Sequence, residues 1–171
     1  MKGISITIDE LLERYAAGDK NFTDCMIFGV ETVRDDLNEV DLRGADFRGS
    51  KIHTTHFIGA NLSRTNLSSV DFEGKSFFQA NLSGANLSSA CLWGVNLDEA
   101  ILSSANLSGA DLREASLCSA NLKRTNLTRV ELQDTQFCSA DLRGAICTDI
   151  DLRGGIFIDT IMPDGSIKNP I

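Results

Sequence analysis

The stretch Ala105-Asn106-Leu107-Ser108-Gly109-Ala110-Asp111-Leu112-Arg113-Glu114 holds two copies of one five-residue unit. The unit has a small residue, a polar residue, Leu or Phe, and two more polar residues, and it repeats without a slip of register from Leu42 to Phe157. Every residue in that span whose number ends in 2 or 7 is Leu, Phe or Ile, except Cys147. A period this strict indicates a stacked array whose repeats bury a core only against their neighbours.

A period of five fits neither regular element, because a strand repeats every two residues and an α-helix every 3.6. The chain must therefore turn at regular intervals. We name the Leu or Phe position i. By strand alternation the small residue at i−2, often Ala, shares its inward side, and the residues at i−1 and i+1 point outward. The residue at i+2, often Gly or Ser, then turns a corner.

The number of corners in one coil follows from a second, longer period in the sequence. Of the six i positions at a spacing of 20 from Phe57 to Phe157, four are Phe, whereas only Phe47 and Phe72 are Phe among the other 18. The i−2 positions show the same spacing, with Ala at 60, 80, 100, 120 and 140. Four pentapeptides therefore make one square coil. Six coils, stacked through parallel segments about 4.8 Å apart, make a rod about 30 Å long, and its hand is expected to be right-handed.

Both ends of such a rod need cover, because an open solenoid exposes unpaired backbone and apolar side chains. Thr7 and Glu10 have the spacing of a helical capping box, and an amphipathic stripe follows, formed by Ile8, Leu11, Leu12 and Tyr15 and ending before Gly18. We predict an N-terminal strand and helix cap over residues 1–19. Residues 20–39 form a degenerate coil in which Thr32 and Asp35 break the pattern, and residues 40–159 form six regular coils. The turn signal Met162-Pro163-Asp164-Gly165-Ser166 places a C-terminal capping tail over residues 160–171.

Units such as Ala60-Asn61-Leu62-Ser63-Arg64 and Ala110-Asp111-Leu112-Arg113-Glu114 resemble those of the pentapeptide-repeat family. The resemblance covers about 70 per cent of the chain, residues 40–159, and the motif is very specific. It implies an all-β solenoid, a right-handed quadrilateral parallel β-helix, in agreement with the count of corners. The family is abundant in cyanobacteria, and the short leading helix and the late Pro-Asp-Gly turn are typical of its cyanobacterial members.

Composition predicts a cytosolic protein. No stretch resembles a signal peptide or a membrane span, so no membrane partner is expected. Five cysteines, an odd number without metal-ligand spacing, fit a reducing compartment better than a disulfide framework. We therefore expect free thiols and neither cofactor nor metal.

The formal net charge of −8 is unevenly placed. Residues 1–39 carry nine acids against four bases, and residues 40–159 carry fourteen acids against eleven bases, so the rod itself has a net charge of only −3. Some members of the resembled family inhibit DNA gyrase by presenting an acidic rod that imitates duplex DNA, which requires phosphate-like charge spacing. Basic residues interrupt any such face here: Arg43, Arg48, Arg64, Lys123, Arg124, Arg129 and Arg143. Charge placement thus disfavours gyrase mimicry, and no nucleic-acid partner is expected.

Three motifs that could carry chemistry are weak. Gly74-Lys75-Ser76 lacks the upstream glycine of a phosphate-binding loop, since that position is Ser69. Lys75 occupies an inward i−2 position, so we predict a distorted corner that lets its ammonium reach water. His53 and His56 flank one corner without a pattern of Cys or carboxylates to complete a metal site, and we interpret them as solvated surface residues. We find no nucleophile, base and orienting acid that could form a catalytic site, so the chain is not expected to be an enzyme.

The better candidates for a binding surface are outward positions that carry apolar residues where most repeats have polar ones. One side of the rod gathers apolar residues at i−1 and i+1, and a neighbouring side adds a tryptophan. Such a concentration on a soluble rod suggests contact with a partner, although the C-terminal tail could cover part of it. The predicted interaction surface consists of Ile58, Phe78, Trp93, Cys118, Cys138, Ile156 and Ile158.

The sequence thus favours a non-enzymatic interaction scaffold whose partner is a protein, and it does not name that partner or the process. A DNA-mimic inhibitor of gyrase is the alternative. A small-ligand or metal enzyme ranks last, because a filled rod offers no concave pocket. Several relatives in the resembled family dimerise through the C-terminal end, where Ile156 and Ile158 point outward, so a homodimer is a further hypothesis.

Overall fold

Square coils stacked along one axis form the body of the protein in a computed structural model that describes residues 4–29, 36–50 and 56–169. Parallel bridges join residues twenty apart on all four sides, as between Asn61 and Asn81, or Asn86 and Asn106. Most contacts between coils are single bridges, because the chain turns after every fifth residue. The predicted lap of twenty residues is confirmed.

Backbone hydrogen bonds lock each coil to both of its neighbours. The Leu87 N–H donates to the Asn106 carbonyl at 2.7 Å, and the Ser89 N–H donates to the Ser108 carbonyl at 3.0 Å, both one coil further on. The Asn106 N–H donates in the opposite direction, to the Ala85 carbonyl at 2.9 Å. A pentapeptide therefore has its backbone satisfied only when the coils above and below it are in register.

Most corners of the described chain are four-residue turns whose third residue is left-handed. At one corner the Ala90 N–H donates to the Leu87 carbonyl at 3.1 Å, and Ser89 between them has φ +56°. Sixteen non-glycine residues of the described chain have positive φ, and all of them occupy i+2. The left-handed region costs such a residue on the order of 1 kcal/mol, so the fold tolerates this strain because both hydrogen-bond ladders fix the corner.

The core is a column of Leu and Phe side chains with almost no solvent exposure. The rings of Phe57 and Phe77 stack with centroids 5.1 Å apart and planes 7° apart, and the rings of Phe137 and Phe157 stack at 5.1 Å and 3°. Phe72 meets Phe77 edge-on with centroids 5.0 Å apart. Residues twenty apart therefore lie directly above one another.

Hydroxyl residues at the inward i−2 position are buried without an unpaired group. Thr125 Oγ1 donates to the Leu102 carbonyl at 2.7 Å, and Thr135 Oγ1 donates to the Leu112 carbonyl at 2.7 Å. Each donor residue lies 23 positions after its acceptor in the chain, so the bond joins one coil to a corner of the coil below it. This repeated bond explains why Thr can replace Ala inside the rod.

Outward Asn and Asp residues at i−1 serve the corners. The Asn81 Oδ1 accepts the Ser83 N–H at 3.1 Å, and the Asp111 Oδ1 accepts the Arg113 N–H at 3.1 Å. A side-chain oxygen that accepts a bond from two residues further on favours a turn there. The frequent Asn or Asp before each Leu is thus explained by local geometry.

The N-terminal end is covered by a strand and a helix. Strand β1 (Ser5–Thr7) pairs in parallel with strand β2 (Met26–Phe28), and helix α1 (Ile8–Ala16) lies between them in the chain. Thr7 caps the helix by accepting the Glu10 N–H at 3.1 Å. Ile8, Leu11 and Leu12 are buried, so the predicted helical cap is confirmed. No helix in the described part of the chain is long and apolar enough to cross a membrane.

The C-terminal end is less regular. Strand β3 (Thr135–Gln136) pairs in parallel with strand β4 (Gly155–Ile156), which follows a short 3₁₀ turn, Leu152–Gly154. Strands β5 (Thr160–Ile161) and β6 (Ile167–Lys168) form an antiparallel hairpin. The hairpin brings Lys168 Nζ to 3.9 Å from the centroid of the Phe157 ring and Asn169 Oδ1 to 2.6 Å from the Asp159 nitrogen. The tail therefore returns to the last coil.

The predicted distortion around Lys75 is wrong. The Lys75 N–H donates to the Phe72 carbonyl at 3.0 Å and the Lys75 carbonyl accepts the Asn96 N–H at 2.9 Å, as at a regular corner. Lys75 is half-buried rather than enclosed. The flexible stem of a lysine can line the corner while the backbone keeps its register. Thr32, Asp35 and His53, to which other predictions refer, lie outside the described residues.

Candidate interaction surfaces

The side of the rod outside Phe57, Phe77 and Phe137, which we name the Phe face, carries six of the seven residues of the predicted interaction surface. Ile156 and Ile158 are 42% and 41% exposed, and Ile58 is also exposed. Phe78, Cys118 and Cys138 on the same face are half-buried. Trp93 lies on the neighbouring side.

Asp98 divides the Phe face into two patches. Its Oδ1 accepts the Cys118 N–H at 2.8 Å and lies 2.5 Å from Ser116 Oγ. One patch holds Ile58 and Phe78, and the other holds Cys118, Cys138, Ile156 and Ile158. The tail, described as far as residue 169, leaves Ile156 and Ile158 exposed, so it does not cover the second patch.

Trp93 lies 40% exposed beside a shallow groove of about 320 Å³. The Arg113 guanidinium sits 5.9 Å from the centre of its ring, and other charged groups line the rest of the groove, namely Glu114, Glu131 and Asp134. A second open groove, of about 590 Å³, is lined by polar residues that include Arg43, Asn61 and Arg64. Both grooves are open and polar, so neither is an enclosed ligand pocket.

His56 is not the solvated histidine that the sequence predicts. The imidazole Nδ1 of His56 accepts the Ser76 N–H at 2.9 Å. The backbone N–H of His56 donates to Asp36 Oδ1, also at 2.9 Å. In a regular coil the N–H at an i−1 position donates to the carbonyl 21 residues earlier, as Asn81 does to Ala60. The imidazole thus serves as an acceptor for a backbone N–H of the next coil. The sequence offered no signal for this role beyond the position of His56 on the Phe face.

Four aspartates on the rod are neutralised locally. Asp41, Asp46, Asp111 and Asp141 each form an ion pair with the arginine two residues later, at 2.6–2.7 Å. The hydrogen bond from Arg143, with Lys123 nearby, holds the pKa of Asp141 at about 2. The arginines keep these carboxylates ionised and paired, so they do not form the open row of negative charge that DNA presents.

A further side of the rod is uncharged over four coils. Asn66, Asn86, Asn106 and Asn126 form an amide ladder, in which the Nδ2 of each of the last three donates to the Oδ1 one coil below at 3.2–3.3 Å. Ser68, Ser88, Ser108 and Thr128 flank this ladder. Because most of these groups satisfy one another or the corner N–H groups, the side is a structural surface.

Sequence reasoning missed one group of possible metal ligands. The ligand atoms of Asp71, Glu73 and Cys91 lie within 4.8 Å of one another, and both carboxylates are exposed. Asp71 and Cys91 share an i−1 column, so comparing positions twenty apart would have found them. Asp71 Oδ1 accepts the Glu73 N–H at 3.0 Å, and nothing else at the site indicates an ion.

The C-terminal end exposes apolar side chains next to unpaired backbone. Ile146 is 52% and Ile167 67% exposed, and Cys147, Ile150 and Leu152 are only partly covered. Within the described chain, no carbonyl accepts the N–H of Cys147 or Asp149. One side of the last coil is therefore an open edge, in contrast to the covered N-terminal end.

Comparisons with known proteins agree with this architecture. A family model described as pentapeptide repeats matches residues 36–74, 80–117 and 120–157 in eight copies. Among solved structures, alr5209, a pentapeptide repeat protein from Nostoc PCC 7120, is 32% identical over 91% of this chain and 98% of its own, with a TM-score of 0.51. The chain matches no curated protein.

Two other structures are similar. QnrB1, a plasmid-mediated fluoroquinolone resistance protein, shares 17% identity over 94% of this chain and 81% of its own, with a TM-score of 0.69, which is a likeness of fold alone. HetL, a pentapeptide repeat protein involved in heterocyst differentiation regulation from Nostoc sp. strain PCC 7120, is 25% identical over 95% of this chain and 100% of its own, with a TM-score of 0.47. The family match and alr5209 together confirm the predicted right-handed quadrilateral β-helix.

Proposed function

Because the chain belongs to the pentapeptide-repeat family, we propose that it is a non-enzymatic, cytosolic scaffold that binds a protein partner through its Phe face. The rigid stack supports this proposal, since it holds side chains of one column about 4.8 Å apart on a flat surface. The five free cysteines, of which only Cys25 is buried, are consistent with a reducing compartment.

The observation that carries the proposal is the exposure of Ile156 and Ile158 at positions where most repeats place polar residues. With Cys118 and Cys138 they form an apolar patch that the described tail leaves open. Desolvating such a patch contributes roughly 25 cal/mol per Å² of apolar area. A partner that fits it would present aliphatic or aromatic side chains, with Trp93 and Phe78 extending the contact.

Affinity capture from the native cell should recover a specific protein with the wild-type chain and lose it with two double variants. One variant combines Phe78→Ser with Trp93→Ser, and the other combines Ile156→Ser with Ile158→Ser. Binding of the purified partner should fall at least tenfold in each variant, because the contact area loses its apolar side chains. Ile101→Ser is the matched control, since it removes an isoleucine of similar exposure (41%) from another side of the rod. The proposal would be contradicted if both double variants captured the same partner as the wild type. An equal loss of partner binding in Ile101→Ser would also contradict it.

Gyrase mimicry is the alternative function, and the local pairing of Asp with Arg disfavours it. QnrB1, a plasmid-mediated fluoroquinolone resistance protein, shares the fold of this chain, and that likeness is one of fold alone. Inhibition of DNA supercoiling by the wild-type chain, equally strong in both double variants, would favour it over the scaffold.

We also propose that the chain forms a homodimer through its C-terminal end. Support comes from Ile146 and Ile167, which are exposed at this end, and from the N–H groups of Cys147 and Asp149, which no carbonyl of the described residues accepts. A second copy would satisfy this edge and bury both isoleucines at once. Light scattering should give twice the chain mass for the wild type and a single chain mass for the variant Ile146→Lys with Ile167→Lys. A monomeric wild type at high concentration would remove the proposal.

A further inference from the structure

Two cysteines of the Phe face lie directly above one another on adjacent coils. The Ser119 N–H donates to the Cys138 carbonyl at 2.7 Å, and Ser116 forms a parallel bridge with Gln136, which puts Cys118 and Cys138 in register. Both side chains are half-buried and free of disulfide bonds. Both side chains project from the outer face of the same column, so the two thiols are neighbours on adjacent coils.

The spacing of this pair distinguishes two kinds of chemistry. Parallel neighbours on adjacent coils hold their side chains about 4.8 Å apart, whereas a disulfide needs Cβ atoms about 3.8 Å apart. A bond between a thiolate and a metal ion is about 2.3 Å long. An ion placed between two stacked thiolates therefore spans roughly the distance that the coil imposes, without moving the backbone.

The number of ligands selects the class of ion. Among the described residues, no third Cys, His, Asp or Glu converges with Cys118 and Cys138. Zinc prefers four ligands and a structural site closed by protein, whereas soft thiolates select Cu(I), an ion that two sulfurs alone can hold in a linear arrangement. Asp98 is close enough to accept the Cys118 N–H at 2.8 Å, but its Oδ1 is also in contact with Ser116 Oγ.

We propose that Cys118 and Cys138 form a two-thiolate binding site for a soft monovalent ion of the Cu(I) class. On binding, two S–H bonds break, two S–Cu bonds form, and two protons pass to solvent, with no change in oxidation state. Each thiol gives up its proton to solvent as the ion binds, so Cu(I) binding should weaken as the pH falls. The site does not depend on the protein partner proposed above.

The test is a competition titration of the reduced protein, under anaerobic conditions, against a chromophoric Cu(I) chelator. The wild-type chain should take one Cu(I) per chain and release two protons in weak buffer. Cys118→Ser and Cys138→Ser should each weaken Cu(I) binding at least tenfold, because each removes one of two ligands. Serine already occupies the equivalent outward position at several repeats, including Ser83 and Ser103, so both variants should fold.

Cys91→Ser and Cys147→Ser are the matched controls, and both should bind Cu(I) as the wild type does. X-ray absorption of the loaded wild type should show two sulfur neighbours and no nitrogen or oxygen neighbour. Wild-type affinity in Cys118→Ser and Cys138→Ser would overturn the proposal. Loss of binding in Cys91→Ser alone would also overturn it and would assign the ion to Asp71, Glu73 and Cys91 instead.

Discussion

Excision of residues 81–100 should leave a folded rod that is one coil shorter. The cut joins Ala80 to Ile101, so every later residue keeps both its place within the pentapeptide and its side of the square. Leu117 then lies above Phe77 in place of Leu97, and both hydrogen-bond ladders close again. The shortened chain should melt cooperatively and elute as a compact species, because repeat proteins depend on contacts between nearest neighbours.

Two other excisions serve as controls. Removal of residues 81–95 keeps the pentapeptide phase but takes out three sides of a coil, so columns no longer align above the cut. We expect a small loss, on the order of 1 kcal/mol, because every inward Leu stays inward and only the side-specific contacts across the cut change. Removal of residues 81–98 should prevent folding of the part beyond the cut, because it turns inward leucines outward. Equal stability of the three variants, measured by circular dichroism, would contradict a lap of twenty residues.

Phe77→Ala should cost about 3–5 kcal/mol, among the largest losses that a single substitution can produce in this chain. Phe77 is fully buried, stacks on Phe57 at 5.1 Å and meets Phe72 edge-on at 5.0 Å. Truncation therefore removes two aromatic contacts and leaves a cavity that the ladder prevents from collapsing. Urea denaturation should show a lower midpoint with an unchanged slope.

Phe77→Leu should cost only about 1 kcal/mol, because Leu97 and Leu117 occupy the same column and the core accepts either residue. Phe78→Ser, one residue away, should change stability by about 1 kcal/mol or less, since that side chain lies on the outer face and is half-buried. The same variant shows whether the partner-binding test uses a folded protein. If Phe78→Ser proved as costly as Phe77→Ala, the assignment of inward and outward positions would be wrong.

The fold was predictable from the sequence because a single geometric rule repeats at every coil. The Phe column and the Ala column at a spacing of twenty specify the lap, and stacked Phe57 and Phe77 confirm it. The helical cap was predictable for a similar reason, since Thr7 and the buried stripe of α1 depend only on local spacing.

Departures from the rule were not predictable, because each depends on what lies one coil away. Lys75 was expected to distort its corner, yet the ladder above it keeps the backbone regular. His56 was expected to face water, yet it supplies the acceptor for the Ser76 N–H. The cluster of Asp71, Glu73 and Cys91 follows from the same columns that revealed the Phe stack, but only when polar positions are compared as well. The sequence gives no comparable signal for the identity of the partner, since scattered apolar residues on a surface do not specify which protein binds them.

The left-handed corners have a consequence for how such proteins diverge. Their side chains project along the four edges of the square, and none of the sixteen non-glycine examples belongs to the buried core. A mutation there can change charge, size or hydrogen-bonding capacity while the interior stays as it was. Proteins that share this β-helix can therefore acquire different binding properties by changing corner residues. Each exchange of a corner glycine for another residue lowers the folding stability by about 1 kcal/mol.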